Sequence, residues 1–123
     1  TIFMNRPSPK ELRGKIRQAK DAVSQGNVFI LNPSDIAAVA LDLGFDVDSE
    51  LQTVIMELLM GVSPTNYSGT RPPTISNMKA ISGKDLFAFT VKSRRFGCDI
   101  YLKYALKNDV FWLVSLHQNK PMR

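Results

Sequence analysis

The chain has 123 residues, of which 44% are apolar, and it carries a formal net charge of +5. This length suits one globular domain, and the apolar fraction is enough for one hydrophobic core. One cysteine and one histidine exclude an internal disulfide and a typical zinc site. No run approaches the roughly 18 to 20 apolar residues of a membrane span, and the first ten residues lack a signal-peptide pattern. We therefore expect a soluble, cytoplasmic, single-domain protein spanning 1–123, without metal or cofactor.

Capping signals predict three helices in the first half of the chain. "SPKE" at Ser8 combines a capping box with proline at the first helical position, and a stripe of apolar residues follows it up to Gly26. "NPSD" predicts a second helix that ends at Gly44, and Asp48 is the predicted cap of a third that ends at Gly61. The helical half therefore covers about 8–61.

The remaining segments predict strands and one long loop. "NVFIL", after the first helix, is typical of a short edge strand. Residues 63–84 are rich in Pro, Gly, Ser and Thr, and loops of this length are often functional, although an insertion without a role is an equally open interpretation. Three alternating segments over 86–117 predict an antiparallel meander. The fold class is α+β, with N-terminal helices packed on a small antiparallel β-sheet.

The charge is distributed unevenly between the two halves. Residues 1–61 contain six Lys or Arg against eight Asp or Glu, whereas residues 62–123 contain ten against three. An anionic partner should therefore bind the second half, and nucleic acid is the leading candidate. Charge alone equally suits a surface that is basic for solubility.

The last two strands form a predicted hairpin whose register decides which residues share a face. A three-residue loop, Lys107 to Asp109, places only apolar residues on one face, whereas a two-residue Asn108-Asp109 turn mixes polar and apolar residues on both. We therefore predict the three-residue loop. It pairs Tyr101 with Ser115, Lys103 with Leu113, and Asp99 with His117.

In this register Tyr101, Lys103 and His117 share one face. The basic run Lys92, Arg94 and Arg95 lies at the turn that leads into the hairpin. Cations with a phenol and an imidazole suit the binding or cleavage of a phosphodiester, because cations stabilise the charge of the transition state and histidine transfers protons near neutral pH. A solvent-exposed histidine and a tyrosine that only packs are the simpler alternative.

Three sequence segments carry a resemblance to a known family. They are "LDLGFD" after a short helix, "YLK" at Tyr101 to Lys103, and the closing "DVFWLVSLH". Their order and spacing resemble the MqsR family of bacterial toxins, in the RelE-like superfamily, over about residues 12–118. The middle loop aligns poorly.

The resemblance implies a RelE-like α+β toxin that cleaves mRNA without a ribosome or a metal and is neutralised by a cognate antitoxin protein. The ribose 2′-hydroxyl attacks the adjacent phosphate in such enzymes. By position, the resemblance implies that Tyr101 and His117 are catalytic. The expected RNA-binding residues are Lys92, Arg94, Arg95 and Lys103. Two residues of the family pattern are unmatched, because its loop lysine falls near Ser68 and its glutamine near Ala88.

Two other classes of function remain open. A non-catalytic RNA-binding or regulatory module would use the same basic surface, with Tyr67 and Tyr101 stacking on bases. A protein-interaction domain would use Lys and Arg to bind an acidic partner. The oligomeric state is not predicted.

Overall fold

The computed structural model describes residues 6–119, which form an α+β fold of three helices and one four-stranded mixed sheet. The helices are α1 Pro9–Ser24, α2 Pro33–Leu43 and α3 Val47–Met60, and the strands are β1 Val28–Ile30, β2 Phe87–Ser93, β3 Cys98–Lys107 and β4 Val110–Gln118. Within residues 6–119, none of the helices combines the length and the hydropathy that a bilayer span requires.

Local capping sets the helix ends. The Ser8 hydroxyl accepts from the Glu11 backbone N–H at 3.0 Å, and Gly44 ends α2 with a φ of +81°, so both predictions are confirmed. The predicted cap of α3 was wrong by two residues. Asp46, not Asp48, accepts from the Ser49 backbone N–H at 2.9 Å, and Asp48 lies in the first helical turn, where a carboxylate favours the helix dipole without capping it.

The sheet has the strand order β1-β4-β3-β2, and its outermost pair is parallel. The prediction of an antiparallel sheet is therefore correct for the meander β2-β3-β4 and wrong for β1. Val28 pairs with Phe111 and Ile30 with Leu113. Since these partners lie some eighty positions apart in the sequence, no local turn fixes their direction, and the packing of α1 and α2 sets it instead.

The register of the β3–β4 hairpin differs from the predicted one. Asn108 and Asp109 form a two-residue turn, with φ of +55° and +61°, and Lys107 pairs with Val110. These positive values match the type I′ turn that suits the twist of a hairpin. The three-residue loop was therefore wrong, and so were its pairings of Tyr101 with Ser115, Lys103 with Leu113 and Asp99 with His117.

A β-bulge explains why the two-residue turn does not mix the faces. The register shifts between Lys103 and Tyr104, so that Tyr104 pairs with Leu113 while Lys103 pairs with Ser115. Val114 is the extra residue on β4, and it restores the alternation of apolar and polar residues beyond it. The predicted faces are correct from Ser115 onward and reversed between Val110 and Val114.

The helices cover one face of the sheet, called here the inner face. Three of its aromatic side chains form one continuous stack. The Tyr104 ring centroid lies 4.7 Å from that of Phe111 and 6.0 Å from that of Phe89. The Tyr104 hydroxyl donates to the Lys15 carbonyl oxygen at 3.2 Å, so its polar atom is paired inside the core. The opposite side is the outer face, where a smaller apolar cluster of Ile81, Ala105 and Val114 lies under the long loop.

The loop over 63–84 is more ordered than its composition predicts. It contains 3-10 turns at Pro64–Asn66 and Lys79–Ile81. Tyr67 and Ile75 form isolated β-bridges with Phe89 and Asp85 respectively. The loop therefore lies along the edge of β2 and turns over part of the outer face.

Candidate active site

Two rows of paired residues cross β2, β3 and β4 on the outer face. Thr90, Tyr101 and His117 form one row, and Ala88, Lys103 and Ser115 form the next. We call Tyr101, Lys103 and His117 the outer-face triad. The structure thus brings these three predicted residues together, although the pairings differ from those predicted.

Tyr101 and His117 lie directly opposite each other and their rings stack. The ring centroids are 5.0 Å apart and the planes are inclined by 23°. Stacking on a half-buried phenol holds the exposed imidazole over the sheet rather than leaving it free at the strand end. The two rings are therefore held in a fixed arrangement on the surface of the sheet.

The backbone next to His117 favours one tautomer of the imidazole. The imidazole Nδ1 lies 3.1 Å from the Gln118 carbonyl oxygen. A carbonyl oxygen only accepts, so this contact is a hydrogen bond when Nδ1 carries the proton. Nε2 then keeps its lone pair, which makes it the nitrogen able to accept a proton from a substrate.

Burial raises the pKa of the Tyr101 phenol above its ordinary value of 10.0. Desolvation has this effect because it disfavours the charged phenolate. The hydroxyl therefore stays protonated at neutral and mildly alkaline pH. Tyr101 can donate a hydrogen bond to an anionic oxygen, and it is poorly suited to act as a base.

A small pocket of about 140 Å³ opens beside Tyr101 and Lys103. Its other wall comes from the long loop and carries the hydroxyl side chains of Ser68, Thr70 and Thr74. The Thr90 hydroxyl donates to the Ser68 hydroxyl at 3.1 Å, which leaves the Ser68 proton available to a ligand. An ammonium, a phenol and several hydroxyls thus surround a space suited to a phosphate or sugar group.

Tyr67 fixes the loop that forms this wall. Its hydroxyl donates to the Thr70 carbonyl oxygen at 2.5 Å, and the Arg71 guanidinium lies 5.0 Å from its ring centroid. Burial raises the pKa of the Tyr67 phenol, and the positive charge of Arg71 partly opposes that change. At Gly69 an added Cβ would lie 2.6 Å from the Tyr67 hydroxyl oxygen, so any larger residue there would displace the Tyr67 side chain.

The predicted basic run divides between two places. Lys92 pairs with Asp99 in the row beyond Tyr101 and is exposed. Arg95 points toward the helices, where its Nε and Nη2 donate to Glu57 at 2.7 and 2.9 Å. The hydrogen bonds to Glu57, with the nearby charge of Glu50, raise the pKa of Arg95. The Arg95 guanidinium in turn lowers the pKa of Glu57. The structure therefore does not bring Arg95 to the outer-face triad.

A larger cavity lies away from the triad. It measures about 690 Å³ between the end of α3 and the β2–β3 turn, and Lys92, Arg94 and Arg95 contribute to its lining. Size alone would select this cavity, yet neither Tyr101 nor His117 lines it. We place the candidate site at the triad because an imidazole, a phenol and an ammonium group converge there.

Sequence reasoning missed the hydroxyls of Ser68, Thr70 and Thr74. The loop is rich in Ser and Thr, but no pattern in the neighbouring sequence indicated that it pairs with β2. In the structure the Ser68 N–H donates to the Ala88 carbonyl oxygen at 2.9 Å. That pairing places positions 68 and 88 on the wall of the same pocket. These are the two positions where the resemblance has its gaps.

Over residues 6–119, no group of three or more His, Cys, Asp and Glu side chains is arranged to hold a metal ion. No protein-family model matches the chain, and no curated protein matches its sequence significantly.

Proposed function

We propose that this protein is an endoribonuclease that cleaves mRNA by attack of the ribose 2′-hydroxyl, as a toxin of the MqsR type with a RelE-like architecture. The observation that carries the proposal is the stacked Tyr101–His117 pair with Lys103 in the adjacent row. An acid–base group, a hydrogen-bond donor and a cation are the groups that this reaction requires.

The reaction assigns one role to each member of the triad. His117 Nε2 accepts the proton of the 2′-hydroxyl, whose oxygen then forms a bond to the adjacent phosphorus. The bond from phosphorus to the 5′-oxygen breaks, and the leaving oxygen takes up a proton from the imidazolium or from water. The products are a 2′,3′-cyclic phosphate and a free 5′-hydroxyl. Tyr101 and Lys103 stabilise the negative charge on the phosphorane oxygens.

The two unmatched positions are consistent with this proposal because they lie at the same pocket. Ser68 and Ala88 line it together with Tyr101 and Lys103. Lys103 supplies an ammonium group to the pocket in the absence of a loop lysine. The missing amide at position 88 removes a substrate contact, so we expect slower cleavage than in a chain that carries both residues.

The same proposal assigns RNA and an antitoxin as partners and the bacterial cytoplasm as the location. Lys92 and Arg94, exposed at the end of β2 and in the turn after it, would contact phosphates that flank the cleaved one. An antitoxin would neutralise the protein by covering or distorting the triad.

The test is cleavage of a long RNA in EDTA by wild-type protein, by a Tyr101→Phe/His117→Ala variant and by the control Gln118→Ala. We expect wild type and control to release fragments with 5′-hydroxyl ends. The double variant should be slower by about 100- to 10,000-fold, the usual contribution of an acid–base group. Equal cleavage by all three folded proteins would contradict the assignment of the triad.

A non-catalytic RNA-binding module is the second candidate. The observation that favours it is the pairing of Arg95 with Glu57, which directs one predicted cation away from the triad. This candidate predicts binding that weakens with salt while the RNA remains intact. Fragments in the experiment above would exclude it.

A further inference from the structure

A second pair of adjacent aromatic rings, tilted against each other, lies on the outer face, at the end of the sheet away from His117. Phe29 on β1 is directly opposite Trp112 on β4, with ring centroids 4.9 Å apart and an interplanar angle of 34°. Phe29 is 57% exposed. A large aromatic side chain so exposed in the middle of a strand contributes little to the core and suits a ligand instead.

The rings of this pair are held in position by the sheet. The Trp112 indole Nε1 donates to the Lys107 carbonyl oxygen at 3.3 Å, and the indole packs on the small outer-face cluster. The parallel pairing of β1 with β4 fixes Phe29 beside it. Such preorganisation lowers the entropy cost of binding a flat ligand.

The charges around the pair favour an anionic ligand. Trp112 lies opposite Ala105, and the residues two positions before and after Ala105 on the same face of β3 are Lys103 and Lys107. Lys107 reaches the Ala80 carbonyl oxygen at 2.8 Å, on the loop that borders the cluster. Aromatic rings interleaved with cations are typical of surfaces that bind single-stranded nucleic acid, because bases stack while phosphates pair.

The pair lies on the same strand and the same face as the triad. Trp112 and His117 are five positions apart on β4, which corresponds to on the order of 15 Å along a strand. Ser115 lies between them, and no change of face is required. An RNA strand a few nucleotides long could therefore contact both places at once.

We propose that Phe29 and Trp112 form a base-stacking subsite that binds an unpaired base of the RNA whose phosphate lies at the triad. The inference rests on the proposed function for its ligand. It adds a binding site for a nucleobase a few nucleotides from the cleaved bond. Stacking tolerates any base, so this subsite selects single-stranded over paired RNA rather than one sequence.

The test uses the only tryptophan of the chain as its reporter. A single-stranded 2′-deoxy oligonucleotide keeps bases and phosphates but lacks the attacking hydroxyl, so binding is measured without cleavage. We expect it to quench Trp112 fluorescence, and a fully paired duplex to quench it much less. Phe29→Ala should weaken binding by about five- to 100-fold. Leu41→Ala, which shortens an exposed apolar side chain on α2, should leave binding unchanged.

Placing an abasic site at successive positions of the oligonucleotide identifies the stacked base. One position should lose most of the quenching, and the others should keep it. Binding with unchanged fluorescence and equal affinity of Phe29→Ala and wild type would overturn the subsite. So would a lack of any binding at low salt, which would indicate that another class of molecule covers the rings.

The two proposals fail in different ways. Cleavage of RNA in EDTA together with an unaffected Phe29→Ala variant would remove the subsite and keep the nuclease. Quenching that depends on Phe29, together with intact RNA, would keep the subsite and assign it to a non-catalytic RNA-binding module.

Discussion

The inner and outer faces of the sheet use the same residue type for different purposes. Tyr104 and Tyr101 lie three positions apart on β3, so they point to opposite faces. Tyr104 is fully buried, with its hydroxyl paired to the Lys15 carbonyl oxygen. Tyr101 is half-buried and stacks on an exposed histidine. The comparison teaches that stability depends mainly on the inner face, and that the groups able to do chemistry are on the outer one.

This separation follows from what each face contacts. The inner face meets three helices and is apolar. Burial raises the pKa of the Tyr104 phenol above its ordinary value, so the phenol stays protonated. The outer face is covered only in part by the long loop, so its polar groups keep contact with water. A face that adds little burial can change its residues at small cost to folding.

The largest expected difference between the faces is in the free energy of unfolding. Phe111→Ala removes a fully buried ring and should destabilise the protein by about 3–5 kcal/mol. Lys103→Ala on the outer face should change stability by no more than about 0.5 kcal/mol. Urea unfolding curves measure both. Similar losses for the two variants would mean that the outer face also supports the fold.

Removing the hydroxyl oxygen from each of the two tyrosines compares the faces with the smallest possible change. Tyr104→Phe removes a buried hydrogen bond and should cost about 1 kcal/mol with unchanged RNA cleavage. Tyr101→Phe should leave stability within about 0.5 kcal/mol and slow cleavage. The thermal stability and the RNA cleavage rate of both variants should be measured on the same preparations. A loss of activity in Tyr104→Phe without a loss of stability would break the assignment.

The smallest expected effect concerns the turn that joins β3 to β4. Asp109 has a φ of +61°, which glycine adopts without strain, so Asp109→Gly should stabilise the protein by about 0.5 kcal/mol. The reverse exchange, Gly97→Asp at a φ of +67° in the β2–β3 turn, should destabilise it by a similar amount. Chemical unfolding measures both variants. Neither should alter RNA binding at the triad by more than about twofold, since neither lies on the outer face.

Features with a local cause were the ones that the sequence predicted well. The start of α1 depends on Ser8 and its contact three residues on, and the end of α2 on the left-handed Gly44. The alternation of side chains within β3 placed Tyr101 and Lys103 on one face whatever the pairing. The α+β class followed from these local patterns.

Features that depend on distant contacts were not predictable in the same way. The direction of β1 depends on the packing of α1 and α2 and on its pairing with β4, far along the chain. The prediction of the hairpin register assumed a regular ladder, and it therefore rejected the turn that the structure has. This error placed Trp112 on the inner face and concealed the ring pair that it forms with Phe29.

The extra residue at Val114 divides β4 into two segments with independent alternation. From Val110 to Leu113 the turn decides which side chains face the helices. From Ser115 onward the pairing with Lys103 and Tyr101 decides it. In a regular ladder that kept all of these residues, Val114 would pair with Lys103, and Ser115 and His117 would point toward the helices. The bulge keeps both side chains on the outer face. A single bulged residue therefore lets a tight two-residue turn and the polar row of Tyr101 and His117 occur in one hairpin.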